Sequence, residues 1–328
     1  MGRTIRWGFI GCGDVTEVKS GPAFNRIENS TIVAVMSRNE SRARDFAHRH
    51  GIPRWHDDAD AVIHADDVDA VYVATPPDSH HDYTLRCAAA GKPVYVEKPM
   101  ATTHEETLDM IRACDAAGVK LWVAYYRRAL PRFLKVRDLV ENGAVGDVRS
   151  IRSERVEPTP DHPVATWRTD PAVSGGGRFV DEVTHAFDFF DFLFGPVEEA
   201  HGFADDKSGA YRGTEDTVVA TYRFSSGVLG SGSWCFAGDR SYETNEIIGA
   251  SGRIHFSVAR PTPVQLIKGD DVETFPIDDP PHVQEPLIRT VVDELNGVGT
   301  CPSTGVSGAR TTWVTDRILA GFPPHTLA

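Results

Sequence analysis

The sequence predicts an α/β fold in two domains, a doubly wound parallel sheet at residues 1–123 and an α+β domain with a large, mostly antiparallel open sheet at residues 124–328. The chain of 328 residues is too long for one ordinary domain of roughly 150 residues. Its first third alternates short β-branched runs with amphipathic stretches of helix length, which parallel βαβ units require. Beyond Val123, apolar and polar residues alternate with period two, which is typical of antiparallel strands.

Short apolar runs mark the strands of the first domain. A helix is predicted over Glu40–His50, because Gly51 and then Pro53 follow it, and these residues commonly end helices. A further short strand near Arg54 would make the run at Leu121 the sixth. The five clear runs are Ile5–Gly11, Thr31–Ser37, Ala70–Pro77, Lys92–Pro99 and Leu121–Arg127.

Turn residues divide the second domain into strands. Ser226-Gly227 and Ser251-Gly252 are hairpin-like turns between alternating runs, which predicts an antiparallel sheet. Three prolines at positions 158, 160 and 163 indicate an irregular loop over residues 159–169. A final amphipathic stretch over residues 307–320 can pack back on either domain.

Composition and charge exclude several classes of function. Asp and Glu number 47 against 34 Lys and Arg, so the net charge of −13 would repel a nucleic acid. No apolar run approaches the ~20 residues that span a bilayer, so we expect no membrane partner. The basic N-terminus runs into glycines instead of a cleavage site. Five scattered cysteines fit neither a disulfide framework nor a cysteine-based zinc site, and we expect a cytoplasmic protein.

A glycine-rich turn follows the first predicted strand and precedes a predicted helix. Gly11 permits a tight turn, and Gly13 lets backbone amides approach a pyrophosphate at the helix N-terminus. Thr16 departs from the usual pattern, in which a glycine or alanine allows close packing of helix and strand. The alternative is that the glycines merely serve a tight turn. The predicted cofactor-binding turn is formed by Gly11, Cys12, Gly13, Asp14 and Val15.

The end of the second strand predicts which dinucleotide binds. Met36-Ser37-Arg38-Asn39 has no carboxylate to accept hydrogen bonds from an adenosine ribose. Ser37 and Arg38 can pair with a 2′-phosphate instead, so NADP is favoured over NAD. The alternative is that Arg38 is a solvated surface charge.

Lys98 is the first candidate for chemistry. It lies in Glu97-Lys98-Pro99 at the end of the fourth clear strand, and ligands of parallel α/β sheets bind beyond the carboxyl ends of the strands. The Lys98–Pro99 peptide is a candidate for the cis form, since X-Pro bonds carry only a small penalty for it. The alternative is a surface lysine, because most lysines are exposed.

A second set of candidates follows the glycine triplet at residues 175–177, which we expect to let the chain pass close to a ligand. The next segment predicts a helix that ends at Gly195-Pro196. Asp181 and His185 are four residues apart on it and form an acid–base pair on one face, or else an ordinary intrahelical contact. Asp188 lies on the same face at the next turn, where it is equally compatible with a functional role and with a role as a buried hydrogen-bond partner.

Four motifs follow one another along the chain: the turn at Gly11 and Gly13, Thr75-Pro76-Pro77 with the following His80, Glu97-Lys98-Pro99, and the segment from Gly175 to His185. Together they resemble the glucose-fructose oxidoreductase and inositol dehydrogenase family (Gfo/Idh/MocA). The resemblance spans nearly the whole chain, with Val183 where the family often has glycine. It implies an N-terminal Rossmann domain and a C-terminal domain whose open sheet commonly forms a homodimer or homotetramer. It also implies sugar or polyol substrates, with Lys98, Asp181 and His185 as catalytic residues. The further cofactor contacts that it implies are Thr75, Pro76, Pro77, His80, Glu97 and Lys98.

These residues predict an NAD(P)-dependent dehydrogenase or reductase. His185 would accept the hydroxyl proton, and Lys98 would stabilise the negative charge that develops on the reacting oxygen. Asp181 would orient His185 or a substrate hydroxyl. The preference for NADP that the end of the second strand predicts favours the reductive direction of this reaction. The predicted sugar contacts are Tyr126, Arg127, Trp167 and Arg168, each with an alternative role in packing or in a structural ion pair.

Parts of the sequence are also compatible with two other functions. One is a sensor or regulator of the same fold that binds NADP and a sugar without turnover, which the intact Lys98, Asp181 and His185 argue against. The other is a metal-dependent hydrolase built on His80-His81-Asp82 and His185-x-x-Asp188. No third or fourth ligand is well spaced with these residues, so we expect no bound metal.

Overall fold

The computed structural model of this chain describes residues 2–322, which form two compact units. The first unit comprises residues 2–101, 105–129 and 280–309. The second comprises residues 102–104, 130–279 and 310–322. The stretch from 280 to 309 therefore belongs to the first unit although it follows most of the second in the chain.

The first unit is built on a parallel sheet of six strands in the order β3-β2-β1-β4-β5-β6. This order is doubly wound, because the chain runs outward from the central β1 in one direction and then returns to build the other side. The predicted doubly wound sheet and the extra strand near Arg54 are thus confirmed. The strands are β1 (Ile5–Ile10), β2 (Ser30–Met36), β3 (Arg54–His56), β4 (Ala70–Val73), β5 (Val94–Val96) and β6 (Leu121–Val123).

The second unit is built on a sheet of eight strands in the order β14-β13-β12-β11-β7-β10-β9-β8. Only β7 and β10 pair in parallel among its described strands, so the mostly antiparallel open sheet is confirmed. Both predicted hairpin turns lie between paired neighbours. The strands are β7 (Val148–Pro158), β8 (Val197–Asp205), β9 (Thr217–Phe224), β10 (Leu229–Gly238), β11 (Tyr242–Gly249), β12 (Arg253–Phe256), β13 (Val264–Lys268) and β14 (Asp271–Phe275).

Helices connect and cover these strands. The predicted helix over Glu40–His50 is confirmed with those ends, and Gly51 closes it in the left-handed conformation with φ of 65°. No helix within residues 2–322 is both long and apolar enough to cross a lipid bilayer. The helices are α1 (Gly21–Arg26), α2 (Glu40–His50), α3 (Asp60–Ile63), α4 (His80–Ala89), α5 (His104–Ala117), α6 (Pro131–Glu141), α7 (Pro171–Ser174), α8 (Arg178–Phe194), α9 (Glu285–Leu295) and α10 (Gly305–Leu319).

Three strands are shorter than the sequence predicts. The runs starting at Ala70, Lys92 and Leu121 end as strands at Val73, Val96 and Val123. One more amide after each strand still bonds to the sheet, and the chain then turns away. Pro76 and Pro99 lack the amide that would extend the sheet, and the Tyr125 amide bonds back to Val123 O at 2.8 Å. The residues beyond these three strands therefore form loops at the carboxyl edge of the parallel sheet.

Each sheet shows the burial pattern that its strand pairing requires. In the parallel sheet, every residue of β4 and of β5 is buried, because both faces are covered. In the antiparallel sheet, residues of β9 alternate between buried and exposed, so one face is covered and the other is open. Helix α8 lies on the covered face, where the Phe187 ring is 5.2 Å from that of Tyr222 and 5.6 Å from that of Trp234. This packing fixes the helix that carries Asp181 and His185.

Candidate active site

The turn after β1 has the geometry of a phosphate-binding loop. Gly11 has φ of +108°, and a Cβ there would lie 2.6 Å from the backbone oxygen of Ala74, so only glycine fits. A Cβ on Gly13 would meet nothing within 4 Å. The backbone amides of Gly13 and Asp14 donate no hydrogen bond to any residue between 2 and 322. The turn therefore offers open space and unused donors, which fit a pyrophosphate group.

The segment after this turn explains the unusual Thr16. Val15–Lys19 forms a π-helical turn in which the Ser20 amide bonds to Val15 O at 3.1 Å. Thr16 is fully buried, and its hydroxyl donates to Gly13 O at 2.7 Å. The tightest backbone approach falls at Gly21, where a Cβ would clash with Thr16 O. The threonine thus closes the glycine turn, and a later glycine provides the close contact.

Charged side chains flank this turn in the first unit. Glu17 pairs with Arg49 and with His50, whose Nε2 is 2.8 Å from the carboxylate. The Arg49 hydrogen bonds are the main cause that lowers the pKa of Glu17 to about 2. Burial raises the pKa of the Cys12 thiol to about 12, so this side chain is neutral. The Glu17 charge is thus already compensated next to the turn that would hold a diphosphate.

The end of β2 presents uncompensated positive charge. Asn39 caps α2 by accepting a hydrogen bond from the Arg42 amide at 3.1 Å, and Ser37 Oγ accepts one from the Asn39 amide at 3.3 Å. Arg38 is exposed, and its guanidinium makes no hydrogen bond or ion pair within residues 2–322. The Arg42 guanidinium is also exposed and makes no hydrogen bond or ion pair within residues 2–322. Its positive charge lowers the pKa of the Cys12 thiol, against the larger effect of burial. Arg42 was not among the predicted cofactor contacts, although its spacing in Arg38-Asn39-x-x-Arg42 places it in the first turn of the predicted helix.

The Glu97 carboxylate anchors the loop that carries Lys98. Glu97 is buried, and its Oε1 accepts hydrogen bonds from the Tyr72 hydroxyl and the Gln284 amide, both at 2.6 Å. Its Oε2 accepts one from the Lys98 backbone amide at 3.2 Å. Burial and the nearby Glu97 charge raise the pKa of Tyr72, which keeps the phenol protonated as a donor. Uncharged donors therefore hold this carboxylate in place.

His80 connects two loops at the same edge of the parallel sheet. It is fully buried, with Nδ1 2.9 Å from Pro99 O and Nε2 2.7 Å from Thr75 O. Burial lowers the pKa of His80, while the two carbonyl oxygens, which accept hydrogen bonds from ring N–H groups, oppose that shift. The Lys98–Pro99 peptide between these anchors is cis, as anticipated. Lys98 itself is half-buried just beyond β5.

Tyr126 and Arg127 lie beyond β6 in a short 3₁₀ turn, Tyr126–Ala129, and not in the strand that was predicted through Arg127. The Arg127 guanidinium lies 5.0 Å from the centre of the Tyr126 ring, within the range of a cation–π contact. The neighbouring Arg128 is buried and donates to Pro302 O at 3.1 Å. Arg128 thus has a structural role within the first unit.

In the second unit, three of the predicted site residues come together. Arg168 Nε lies 3.2 Å from Asp181 Oδ2, and the Arg168 guanidinium lies 4.3 Å from the centre of the Trp167 ring. Asp181 is in the first turn of α8 and His185 is one turn later, with exposed fractions of 8% and 7%. Asp188, a further turn along, is completely buried. Trp167, Arg168 and Asp181 thus form one polar and aromatic group on this unit, one helical turn from His185.

The glycine triplet before α8 has a different role from the predicted close approach to a ligand. Gly175 has φ of +78°, and a Cβ there would lie 2.6 Å from Thr102 O. A Cβ on Gly176 would clash with Val180, and one on Gly177 would lie 2.6 Å from Thr214 Oγ1. All three Cβ positions are thus filled by protein atoms. The triplet packs the start of α8 tightly against its own unit.

Metal ligation finds no support among the described residues. Between residues 2 and 322, no group of three or more His, Cys, Asp or Glu side chains is arranged to hold a metal ion. His80, one of the residues considered for a hydrolase site, has both ring nitrogens on backbone carbonyls.

Comparisons with known proteins match both parts of the chain. The model of an oxidoreductase family with an NAD-binding Rossmann fold matches residues 5–125. The model of the GFO/IDH/MocA C-terminal domain matches residues 133–255. Oxidoreductase P35 of Formosa agariphila is 38% identical over 96% of this chain and 98% of its own.

Two further similarities are to a named dehydrogenase and a named oxidoreductase. Myo-inositol 2-dehydrogenase of Thermotoga maritima is 30% identical over 80% of this chain and 78% of its own. The crystal structure of aldose-aldose oxidoreductase from Caulobacter crescentus, complexed with glycerol, is 25% identical and superposes with a TM-score of 0.85. That superposition covers 97% of each chain.

Proposed function

Because this chain belongs to the Gfo/Idh/MocA family of oxidoreductases, we propose that it transfers a hydride between a nicotinamide cofactor and a secondary alcohol or ketone of a sugar, polyol or sugar derivative. One observation carries the proposal. The phosphate-type turn after β1 and the anchored Lys98 after β5 lie at the carboxyl edge of one doubly wound sheet, where such sheets bind dinucleotides. The inositol dehydrogenase and the aldose oxidoreductase among the relatives support the substrate class.

Backbone and side-chain groups of the first unit would hold the cofactor. The amides of Gly13 and Asp14, within the turn Gly11–Val15, would donate to the pyrophosphate. Ser37, Arg38 and Arg42 would pair with a 2′-phosphate, which is why we propose NADP over NAD. Thr75, Pro76 and Pro77 would face the cofactor from the loop after β4. His80 and Glu97 would serve mainly by holding the loops on either side of Lys98, since their polar atoms already bond to protein.

The chain supplies the proton chemistry of the reaction. When bound, the nicotinamide accepts or donates the hydride at its C4 atom. Lys98 would donate a hydrogen bond from its ammonium to the reacting oxygen and stabilise the negative charge there. His185 would take the hydroxyl proton during oxidation and return it during reduction. Asp181, paired with Arg168, would orient a substrate hydroxyl or His185, while Trp167, Tyr126 and Arg127 would contact the sugar.

The test is nicotinamide absorbance with NADP⁺ and NADPH against a panel of inositols, aldoses, anhydrosugars and keto sugars. We expect turnover with at least one member of the panel. Lys98→Met should abolish most of that turnover, and Lys268→Met, at an exposed lysine of the second unit, is its matched control and should keep it. Binding of NADPH and a sugar without turnover on any member would favour the sensor and contradict the enzyme.

We also propose a cytoplasmic homodimer or homotetramer that uses the open face of the eight-stranded sheet. That face carries exposed apolar side chains, with Phe203 87%, Leu229 53% and Val219 50% exposed. The five cysteines form no disulfide, in keeping with a reducing compartment. Light scattering should give a mass of two or four chains for the native protein. Phe203→Glu should reduce that mass if this face is the interface.

A further inference from the structure

A buried carboxyl group lies at the start of α8. Glu215 is in the segment between β8 and β9 and is only 2% exposed. Its Oε1 accepts a hydrogen bond from the Gly177 amide at 2.7 Å and lies 3.5 Å from the Val180 amide. Gly177 is the N-cap of α8 and has no side chain of its own to cap the helix. Glu215 therefore supplies, from a distant part of the chain, the cap that the helix lacks.

The glycine triplet makes this contact fit. A Cβ on Gly177 would lie 2.7 Å from Thr214 Cβ and 3.1 Å from Glu215 Cδ. A Cβ on Gly176 would lie 3.4 Å from Glu215 Oε1. Larger residues at these positions would push the carboxyl away from the helix. The glycines and Glu215 thus form one arrangement at the helix start.

The buried position of Glu215 makes its charged carboxylate form costly, because the carboxylate loses its hydration there. Burial is the main cause that raises the pKa of Glu215 to about 7, and the Gly177 and Val180 amides oppose it. On its own loop, the adjacent Asp216 adds a negative charge that raises this pKa further. The first turn of α8 carries Arg178 and Asp181, and the next residue, Glu182, pairs with Arg178 and with Arg155 of β7. No basic side chain within residues 2–322 forms an ion pair with Glu215.

We propose that Glu215 is a positioning residue for the reaction, whose ionised carboxylate fixes the first turn of α8 and thereby Asp181 and His185. This inference rests on the proposed function. A carboxylate attracts the helix amides more strongly than a carboxylic acid does, because a charged acceptor forms the stronger bond. Protonation would therefore loosen the first turn of α8.

The kinetic test compares Glu215→Gln with the wild type and with Glu198→Gln, a control at an exposed glutamate of the same unit. Gln keeps the size of the side chain and removes its charge. At about pH 8 we expect kcat of Glu215→Gln to fall about tenfold, as loss of one charged hydrogen bond would predict. The Kd for NADPH should not change. Near pH 6, where the wild-type carboxyl is protonated, the two values of kcat should converge.

The spectroscopic test needs no turnover. With glycine labelled by both ¹⁵N and carbonyl ¹³C, only the amides of Gly176 and Gly177 follow another glycine in this sequence, so only they give a carbonyl-correlated signal. The Gly177 amide should titrate with a midpoint near 7 in the wild type and stay constant in Glu215→Gln.

The outcomes separate this inference from the proposed function. A Gly177 signal that does not titrate in the wild type overturns the inference, as does equal kcat for the wild type and Glu215→Gln at every pH. Absence of wild-type turnover with every substrate refutes the proposed function instead, and with it the positioning role.

Discussion

The carboxylate of Glu97 accepts a hydrogen bond from the side-chain amide of Gln284, with 2.6 Å between Oε1 and Nε2. Both side chains are buried, and the two residues are 187 positions apart in the chain. The Tyr95 hydroxyl donates to the Oε1 atom of the same Gln284 at 3.1 Å. The loop that carries Lys98 is thus tied to the late segment that returns to the first unit.

We expect Gln284→Leu to lower both stability and turnover. The substitution removes a donor from a buried carboxylate, which should reduce the free energy of unfolding by about 1–3 kcal/mol. It should also lower kcat, because Glu97 holds the backbone of Lys98. Urea unfolding and steady-state kinetics measure the two effects. The control is Gln265→Leu, at a half-buried glutamine on β13. Equal losses in both variants would show that the Glu97 contact has no special role.

Arg38→Ala and Arg42→Ala should each weaken NADPH binding about tenfold, since each removes one charged partner of the 2′-phosphate. Binding of NADH, which lacks that phosphate, should change little. Isothermal titration calorimetry with both cofactors measures the difference. Arg44→Ala is the matched control, because Arg44 is an exposed arginine on the same helix. If NADPH and NADH weaken equally, these arginines do not recognise the 2′-phosphate.

Lys98→Met and His185→Asn should each lower kcat by about 10²–10⁴-fold, the usual contribution of a general acid–base or charge-stabilising group. NADPH binding should survive in both variants, as fluorescence titration would show. A variant that keeps wild-type kcat would eliminate the role assigned to that residue.

Glu215→Gln should raise the melting temperature at about pH 8 while lowering activity. The pKa of Glu215 is about 7 in the folded protein against the ordinary 4.5, so the folded state holds its proton more tightly. The contribution of this group to stability therefore falls as pH rises from 4.5 to about 7, by up to about 3 kcal/mol. The gain in Glu215→Gln should shrink toward pH 5. A melting difference that is independent of pH would contradict the raised pKa.

Much of the fold could be predicted from local pattern. Strands β4, β5 and β6 are continuous apolar runs, and Gly51 marks the end of α2, so these elements were found. The ends of β4, β5 and β6 were missed, because the loops that follow are also apolar or contain proline. Helix α9 was missed too, although Leu287, Ile288, Val291 and Val292 form its buried face.

The candidate site could be predicted only where its residues lie in short motifs. Lys98, Asp181 and His185 stand in recognisable patterns, whereas Glu215 and Gln284 are visible only through partners far along the chain. The glycine triplet shows the limit of such reasoning. Its sequence indicates an unusual backbone, but only tertiary packing shows that the neighbours of the Cβ positions are Thr102, Val180, Thr214 and Glu215.

Transfer of deuterium from substrate to cofactor tests the central claim most directly. The enzyme is incubated with NADP⁺ and the best sugar or polyol of the panel, deuterated at its carbinol carbons, and the reduced nicotinamide is analysed by mass spectrometry. We predict one deuterium per reduced cofactor with the wild type and a strongly reduced yield with Lys98→Met and His185→Asn. Reduced cofactor without deuterium, or undiminished transfer in both variants, would contradict hydride transfer by these residues.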